Sequence, residues 1–152
     1  TCIVGPDEGH KRHDYDFTSF PEVVANGKDA NEQARVKDPR SEISMAEVHD
    51  CFTPTELVLM EDLGFSERAG PWQDVLDGRF ELKGPQPVNP DGGRKSFGHP
   101  IGASGLRMMY EMWLQLRGEA GDRQIDKPKL GLTHNLGGQP GRCVSFASIV
   151  GS

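Results

Sequence analysis

Short apolar runs and longer periodic segments alternate along this chain, and the two patterns predict different elements. Apolar runs of strand length that end at Gly, Pro or polar residues are typical of β-strands. The predicted strands are residues 1–4, 43–48, 129–134 and 142–150. A glycine turn at residues 137–141 joins the last two strands, so we expect these two to pair antiparallel.

Helices are predicted where apolar residues recur every three or four positions. A first helix starts at Pro21, and a second starts at Thr53-Pro54-Thr55-Glu56, which has the sequence of a capping box. The expected buried face of the second helix consists of Leu57, Met60 and Leu63, with Val58 at its margin. The Gly- and Pro-rich residues 66–97 predict a long surface connection that holds one short helix at Trp72–Leu76.

The clearest helical periodicity lies in Gly102–Arg117, and Gly118 ends it. Its apolar stripe, which we expect to face the core, consists of Leu106, Met109, Tyr110, Trp113 and Leu116, with Leu114 beside them. The earlier alternation of strands and helices favours parallel pairing, whereas the last two strands favour antiparallel pairing. Together they predict a mixed α/β sheet with helices on its faces.

Composition and charge narrow the class of protein. The 152 residues suffice for one domain, and 23 acidic against 17 basic residues give a net charge of -6. An acidic chain without a basic block is a poor nucleic-acid binder, and no apolar run approaches the roughly 20 residues of a membrane span. The three cysteines have no C-x-x-C spacing, which favours a reducing compartment, so we expect a cytoplasmic protein. Because there is no initiator Met and the first strand begins abruptly, we expect a fragment or a processed half.

Reactive side chains concentrate in three segments next to predicted strand ends and helix starts. The segments are Val48–Phe52, Gly98–Gly105 and His134–Gly138. The carboxyl ends of strands are where α/β sheets bind ligands. The three segments are therefore the candidate site.

His99 is the sharpest candidate within these segments. The glycines around it let other backbone approach closely, and the helix that begins near Gly102 directs its free N–H groups at nearby atoms. The positive electrostatic potential at this helix N-terminus favours a neutral imidazole and a developing anion. A histidine that only packs in a tight glycine turn explains the same spacing equally well.

Cys51 is a weaker candidate. It precedes a predicted helix and follows His49 by two residues, so the two side chains suit an acid/base or nucleophile pair. From the residues alone we favour the commoner role of a buried, inert cysteine. Asp50 is equally suited to start a helix, and His134 and Asn135 to satisfy backbone groups at a strand end. A metal site needs three or four converging ligands, and because the spacing requires none, we expect none.

With these residues identified, the chain resembles the thiolase superfamily over essentially its whole length. Gly98–Gly105 resembles the family's G-H-P-x-G-x-S-G motif. Val48–Phe52 is similar to the H-D-C-F motif of sterol-carrier-protein-type thiolases, and His134–Gly138 to the H-N-x-G segment of that subgroup. Asn89–Gly93 is similar to the stretch that precedes the histidine motif.

This resemblance implies a fold and a boundary. Residues 1–152 would form a thiolase-like C-terminal half, with a mixed five-stranded sheet and helices on its faces. The nucleophilic cysteine of the family lies in an N-terminal half that these residues do not include, so we expect no turnover from this chain alone. A half that packs on its twin is also expected to expose a large apolar surface.

The resemblance also implies catalytic roles. His99 would polarise the thioester oxygen in an oxyanion hole and help to activate the nucleophile. His49 would stand where other thiolases use Asn to hold a water molecule in that hole. Cys51 would replace the acid/base cysteine of the family's C-x-G motif.

Further residues would contact the substrate. By the same resemblance, Phe52 lines the pantetheine channel, and His134 and Asn135 lie beside the site without acting as acid or base. Gly137 belongs to the glycine turn, whose N–H groups suit an oxyanion or a thioester.

The implied activity is that of a coenzyme A-dependent acyltransferase in lipid or sterol metabolism, acting by thiolysis of a 3-ketoacyl-CoA or by the reverse Claisen condensation. The implied partners are an acyl-CoA substrate, the N-terminal half, and further copies in a homodimer or larger assembly, with no tightly bound cofactor. Two alternatives stay open: a thiolase-like retro-aldolase subunit that works with an OB-fold partner, and a non-catalytic half that binds acyl-CoA or a partner.

Overall fold

The structure, a computed structural model, describes residues 1–5, 13–139 and 141–151. Its elements in chain order are β1 (Cys2–Val4), α1 (Pro21–Ala34), α2 (Pro39–Glu42), β2 (Met45–Glu47), α3 (Thr53–Asp62), α4 (Pro71–Leu76), α5 (Gly93–Phe97), α6 (Ser104–Arg117), a 3₁₀ turn (Gly121–Arg123), β3 (Leu130–Gly137) and β4 (Val144–Gly151). The predicted glycine turn at 137–141 lies partly outside the described residues.

Within the described residues, four strands form one mixed sheet in the order β1-β4-β3-β2. β2 runs parallel to β3, and β4 runs antiparallel to both β3 and β1. The prediction of a mixed sheet whose last two strands pair antiparallel is confirmed. Because β2 and β3 are parallel, their carboxyl ends lie at the same edge of the sheet.

The expected fifth strand is wrong for the residues that the structure describes. Where an edge strand would flank β2, Val88 makes a single parallel bridge to Ala46. Ala46 N donates to Pro87 O at 2.9 Å, and Asn89 N donates to Ala46 O at 2.8 Å. Pro87 and Pro90 bracket this pair, and proline has no N–H with which to extend a ladder. The segment contacts the edge of the sheet without forming a strand.

Helices α1 and α3 cover one face of the sheet and enclose the hydrophobic core. The buried members of this core are Val23, Val36, Ile43, Ala46, Val48, Leu59, Met60, Leu63, Phe65, Leu132, Leu136 and Cys143. α1 lies over β4 and β1 and also packs on α3. The side chains of Leu132 and Leu136 therefore mark the face of β3 that points toward α1.

The start of α3 differs from the predicted capping box. Phe52 is the N-cap residue, and no side chain caps the helix. Glu56 instead accepts a hydrogen bond from Asn89 Nδ2 at 2.8 Å. The helix buries Leu59 in place of the expected Leu57, because its inner face turns toward α1 and the sheet.

Helix α6 lies on the opposite face of the sheet, against β3. Its buried residues are Ser104, Met108, Glu111, Met112 and Gln115. Gly131 in β3 permits this contact, since a Cβ there would overlap the Met112 Sδ.

The predicted core-facing stripe of α6 is wrong. Leu106 is 72% exposed and Tyr110 60%, and Met109 and Trp113 are exposed as well. The polar residues of α6 are buried because they have partners: Gln115 Nε2 donates to Glu111 Oε1 at 2.9 Å, and Arg123 donates to Glu111 Oε2 at 2.9 Å. The apolar stripe is thus left on the outer side of the helix.

Candidate functional site

The three candidate segments meet at the sheet edge where β2 and β3 end. The Val48–Phe52 segment follows β2, and His134–Gly138 overlaps the end of β3. The Gly98–Gly105 segment connects α5 to α6, and Ser104 is the first residue of α6. The three predicted segments therefore do come together at one sheet edge. Their side chains differ in whether they reach the candidate site.

Asp50 joins the first segment to α5. Its carboxylate accepts hydrogen bonds from the backbone N–H groups of Arg94 at 3.0 Å and Lys95 at 3.4 Å. Gly93 has φ 64°, and a Cβ at this position would overlap the Asp50 carboxylate. Glycine is thus required for the close approach. Asp50 caps α5, and not the helix α3 that follows it in sequence.

Arg94 contacts all three segments through its guanidinium. The side chain is buried, with the residue only 6% exposed. It donates from Nη1 to Val48 O at 3.3 Å, from Nη2 to Asn135 Oδ1 at 2.6 Å and from Nε to His99 Nδ1 at 3.2 Å. Burial lowers the pKa of Arg94, and Asp50, 3.7 Å away, raises it. An arginine stays charged under these conditions.

His99 has one ring nitrogen directed inward and one that is free. Nδ1 lies 2.7 Å from Ser104 Oγ as well as 3.2 Å from Arg94 Nε. Nε2 has no hydrogen-bond partner within the part of the chain that the structure describes, and the residue is exposed. A free Nε2 at a cavity is available to a ligand.

His49 lies against His99. Their ring centroids are 5.4 Å apart, and the planes cross at 83° in an edge-to-face arrangement. Burial, with further contributions from Arg94 and His99, lowers the pKa of His49 to about 4. The imidazole is therefore neutral at neutral pH. Its Nδ1 is buried and has no hydrogen-bond partner among the described residues.

His134 and Asn135 point to opposite sides of β3, because successive side chains of a strand alternate. Asn135 accepts from Arg94 and donates from Nδ2 to Met108 Sδ at 3.2 Å, which places it on the α6 side. His134 is fully buried on the core side, where its Nε2 lies 2.9 Å from Ser145 Oγ. Burial lowers the pKa of His134 to about 3, so this ring is neutral too.

The remaining predicted residues lie at the margin. Cys51 is exposed in the bend before α3, so the expectation of a buried Cys51 is wrong. Its sulfur has no hydrogen bond to His49 or to other described residues, and it lies near enough to Arg94 to interact electrostatically. Phe52 is 69% exposed. Gly137 ends β3 and, like His49 and His99, lines one cavity.

That cavity has a volume of about 540 Å³. Its polar end is formed by His49, Arg94 and His99, and its walls are apolar residues of α6 and β4, among them Leu106 and Phe146. Two imidazoles beside a buried cation form an electropositive end, which suits a developing oxyanion. The apolar walls suit a hydrophobic chain.

Two residues of this site were missed by sequence reasoning. Arg94 lies in a polar, glycine-rich stretch that gives no sign of burial. Ser104 belongs to the Gly98–Gly105 motif, but the sequence did not predict its contact with His99. The motif itself was the available signal for Ser104, whereas the sequence offers none for Arg94.

Two kinds of feature are absent from residues 1–5, 13–139 and 141–151. No three His, Cys, Asp or Glu side chains are placed there as the ligands of a metal ion. No helix in the same residues combines the length and the apolar character needed to cross a bilayer.

Comparisons with known proteins agree with the motifs. Residues 6–146 match the family model described as thiolase C-terminal domain-like. An acetyl-CoA acetyltransferase of Methanothermobacter thermautotrophicus is 40% identical over 126 residues, which cover 83% of this chain and 32% of that protein. Sterol carrier protein 2 of Homo sapiens is 43% identical over 97 residues, which cover 64% of this chain and 18% of that protein.

A solved structure shows the same fold. The Ltp2-ChsH2(DUF35) aldolase superimposes with a TM-score of 0.77 over 99% of this chain and 38% of that chain, at 24% identity. The chain spans about a third or less of the relatives that it matches. The family match covers nearly all of the chain, and the resemblance inferred from the motifs is confirmed. The chain belongs to the thiolase family, as a thiolase C-terminal domain-like protein.

Proposed function

We propose that residues 1–152 are the C-terminal domain of a coenzyme A-dependent acyltransferase that cleaves or forms 3-ketoacyl-CoA in lipid or sterol metabolism. The observation that carries this proposal is the edge-to-face pair of imidazoles, His49 and His99, beside a buried arginine at the polar end of an apolar cavity. A thioester carries an oxygen that gains charge during the reaction and a hydrophobic chain, and this cavity offers a place for each.

The proposed thiolysis proceeds in two half-reactions. A cysteine thiolate supplied by the rest of the protein attacks the 3-keto carbon, and the bond between Cα and Cβ breaks. The electron pair passes to the thioester enolate, whose oxygen is stabilised by His99 and by a water molecule that His49 holds. Cys51 gives its proton to the enolate carbon and releases this fragment as acetyl-CoA when the substrate is unbranched, while the shortened acyl chain stays on the cysteine as a thioester. Cys51, now a thiolate, takes the proton of a free coenzyme A thiol, and the coenzyme A sulfur attacks the acyl-enzyme, which releases the shortened acyl-CoA and the cysteine thiolate.

The exposed position of Cys51 supports its role as acid and base. A group that protonates an enolate carbon must be accessible to the substrate, and the thiol of Cys51 is exposed at the sheet edge. Phe52, Asn135 and Gly137 are proposed to contact the pantetheine or the acyl chain, and His134 to support them from the core side. No tightly bound cofactor is needed for this chemistry.

The open side of the cavity supports the proposal that another part of the protein covers this domain. The exposed stripe Leu106, Met109, Tyr110 and Trp113 continues the apolar walls of the cavity along α6. Exposed patches of this kind mark interfaces. We propose that the N-terminal half of the protein covers this stripe and that the assembly is a homodimer or larger. The three free cysteines suit the cytoplasm.

A thiolysis assay on the natural protein tests the proposal. Purified protein is supplied with a 3-ketoacyl-CoA and coenzyme A, and the two product thioesters are measured by mass spectrometry. Cys51→Ala is expected to abolish carbon–carbon chemistry, with a loss of about 10²–10⁴ in rate, and to spare acyl transfer from a simple acyl-CoA to the nucleophile, which breaks no carbon–carbon bond. The chain of 152 residues alone is expected to show no turnover.

A second candidate is a retro-aldolase subunit with an OB-fold partner. It is favoured by the solved neighbour, which is an aldolase with a DUF35 component. The natural protein would then cleave a 3-hydroxyacyl-CoA, and a 3-ketoacyl-CoA would be left intact. If both substrates stay intact, the chain is a non-catalytic half that binds acyl-CoA or a partner.

A further inference from the structure

The contact between Arg94 and His99 decides which ring nitrogen of His99 carries the proton. Arg94 Nε lies 3.2 Å from His99 Nδ1, with its hydrogen directed at that nitrogen. An arginine keeps its protons in proteins and has no acceptor atom. Nδ1 must therefore accept, and the proton of the neutral imidazole must reside on Nε2.

Ser104 does not decide this question by itself. Its Oγ lies 2.7 Å from His99 Nδ1 and 3.2 Å from Pro100 O. In one arrangement the hydroxyl donates to Nδ1. In the other, Nδ1–H donates to Oγ and the hydroxyl donates to the carbonyl of Pro100. The second arrangement satisfies every group, so Ser104 and Pro100 alone would favour the proton on Nδ1.

We propose that Arg94 is a positioning residue that holds His99 in the tautomer with the proton on Nε2. Nε2 is the ring nitrogen without a partner among the described residues, and His99 lines the cavity. A protonated Nε2 donates to an oxyanion, whereas an unprotonated Nε2 repels it. The proposal deepens the proposed function, on which it rests for the identity of the oxyanion as that of a thioester.

The geometry explains why the residue is an arginine. The planar guanidinium reaches Val48 O, Asn135 Oδ1 and His99 Nδ1 at the same time. Its own backbone N–H is held by Asp50 at 3.0 Å, so both ends of the residue are fixed. A lysine ammonium has one nitrogen and cannot reach the three acceptors together. The position of His99 is thus linked to the ends of β2 and β3.

The direct test is the protonation of the His99 ring by ¹⁵N NMR in the natural protein labelled at histidine. The His99 signals are assigned by their loss in His99→Asn. In the wild type we expect a proton on Nε2 and none on Nδ1. In Arg94→Met we expect the proton on Nδ1. Without Arg94, the arrangement in which Nδ1–H donates to Ser104 Oγ and the hydroxyl donates to Pro100 O is favoured.

Three control variants separate this role from a structural one. Ser104→Ala is expected to keep the proton on Nε2, because Arg94 still donates. Arg40→Met removes another arginine paired with a carboxylate, Asp74 at 2.8 Å, and is expected to leave the tautomer unchanged. The double variant Arg94→Met/Ser104→Ala removes both influences and is expected to give a mixture of tautomers.

Activity provides a second readout. Arg94→Met is expected to lower kcat by about 10²-fold with little change in KM, as for loss of one oxyanion donor. Adding Ser104→Ala is expected to restore part of that loss, an opposite-sign coupling that a structural role would not produce. Arg94→Lys keeps the charge and is expected to behave like Arg94→Met.

The outcomes are distinguishable. A proton on Nδ1 in the wild type, or a folded Arg94→Met protein with an unchanged tautomer, overturns the role of Arg94. If Arg94→Met does not fold, the spectra of the wild type and of Ser104→Ala still test the role of Arg94, because both are expected to show the proton on Nε2. The expected tautomers in a protein without thioester chemistry would overturn the proposed function and leave the role of Arg94 intact.

Discussion

Helices α1 and α6 both have 14 residues, lie on opposite faces of the same sheet and bury one side each, but they differ in what the other side exposes. α1 buries Val23 and Ala30 against the core, and its outer positions are mainly polar. α6 buries polar residues such as Glu111 against the sheet side and exposes an apolar stripe. The difference supports the proposal that another layer covers the outer side of α6, whereas α1 needs no such cover.

The exposed side of α6 is an ordered apolar surface. Tyr110 and Trp113 stack with centroids 5.7 Å apart, and the Arg117 guanidinium lies 4.8 Å from the Trp113 ring centroid. Val144 and Phe146 of β4 are exposed beside the cavity that His49 and His99 line. Since His99 precedes this helix, the N-terminal half proposed to cover α6 would also close the candidate site.

The largest contrast between the two faces is expected from a buried charge. Val23 in α1 is fully buried, and Val23→Asp should cost about 4 kcal/mol or more, enough to unfold the chain. Leu106→Asp on α6 should change the free energy of unfolding by about 0.5 kcal/mol or less. Urea unfolding followed by circular dichroism measures both. Equal losses would show that α6 has no uncovered side.

A smaller contrast is expected within α6 itself. Met112 is fully buried against Gly131, so Met112→Ala should cost about 2–5 kcal/mol. Tyr110→Ala on the outer side should stay within about 0.5 kcal/mol. The same unfolding experiment compares the two variants. If Tyr110→Ala lowered the free energy of unfolding as much as Met112→Ala, the outer side of α6 would be packed like a core.

Association provides a test of the outer side. Trp113→Ala should weaken the binding of this chain to the remaining part of the natural protein about 30-fold, as for an interface residue worth roughly 2 kcal/mol. Val24, an exposed valine of α1, is the matched control, and Val24→Ala should leave the affinity unchanged. Analytical ultracentrifugation measures both affinities. Loss of affinity in the Val24 variant alone would assign the interface to the α1 side.

The two faces should also respond oppositely to pH. On the core side, the pKa of His134 lies at about 3, below its value of about 6.5 in an unfolded chain, so stability falls as pH drops from about 6.5. On the α6 side, burial raises the pKa of Glu47 to about 8, so stability falls as pH rises from about 4.5 to about 8.

Each titration has its own variant. His134→Gln should remove up to about 1.4 kcal/mol per pH unit from the acid slope, and Glu47→Gln should flatten the decline toward pH 8. Exposed His13 is the control, and His13→Gln should leave the curve unchanged. Unfolding free energies measured from pH 4 to pH 8.5 test this, and an unaltered acid slope in His134→Gln would contradict it.

The sequence predicted the length of α6 but not its orientation. The predicted Gly102–Arg117 and the observed Ser104–Arg117 nearly coincide. Periodicity identifies an apolar side, and it does not tell whether the chain's own sheet or another layer covers that side. The burial of Glu111 depends on Arg123, which follows the helix in a turn that the pattern did not reveal.

The site was predicted at the level of segments. The motifs located His49, His99 and Asn135 at one sheet edge, because the carboxyl ends of parallel strands coincide. Arg94 was not predicted, since its acceptors Val48 and Asn135 lie more than 40 residues away in sequence. That Asn135 and not its neighbour His134 faces α6 depends on the register of β3, which a motif does not specify.

Thioester chemistry at His99 is tested most directly by exchange of the α-protons of an acyl-CoA in deuterated water, followed by NMR with the natural protein. The wild type is expected to exchange these protons well above background, because the proposed role of His99 is to stabilise the enolate oxygen. His99→Ala should slow the exchange by about 10²–10³, while His13→Ala keeps the wild-type rate. Exchange at background level in the wild type, or at the wild-type rate in His99→Ala, would contradict the proposed role of the site.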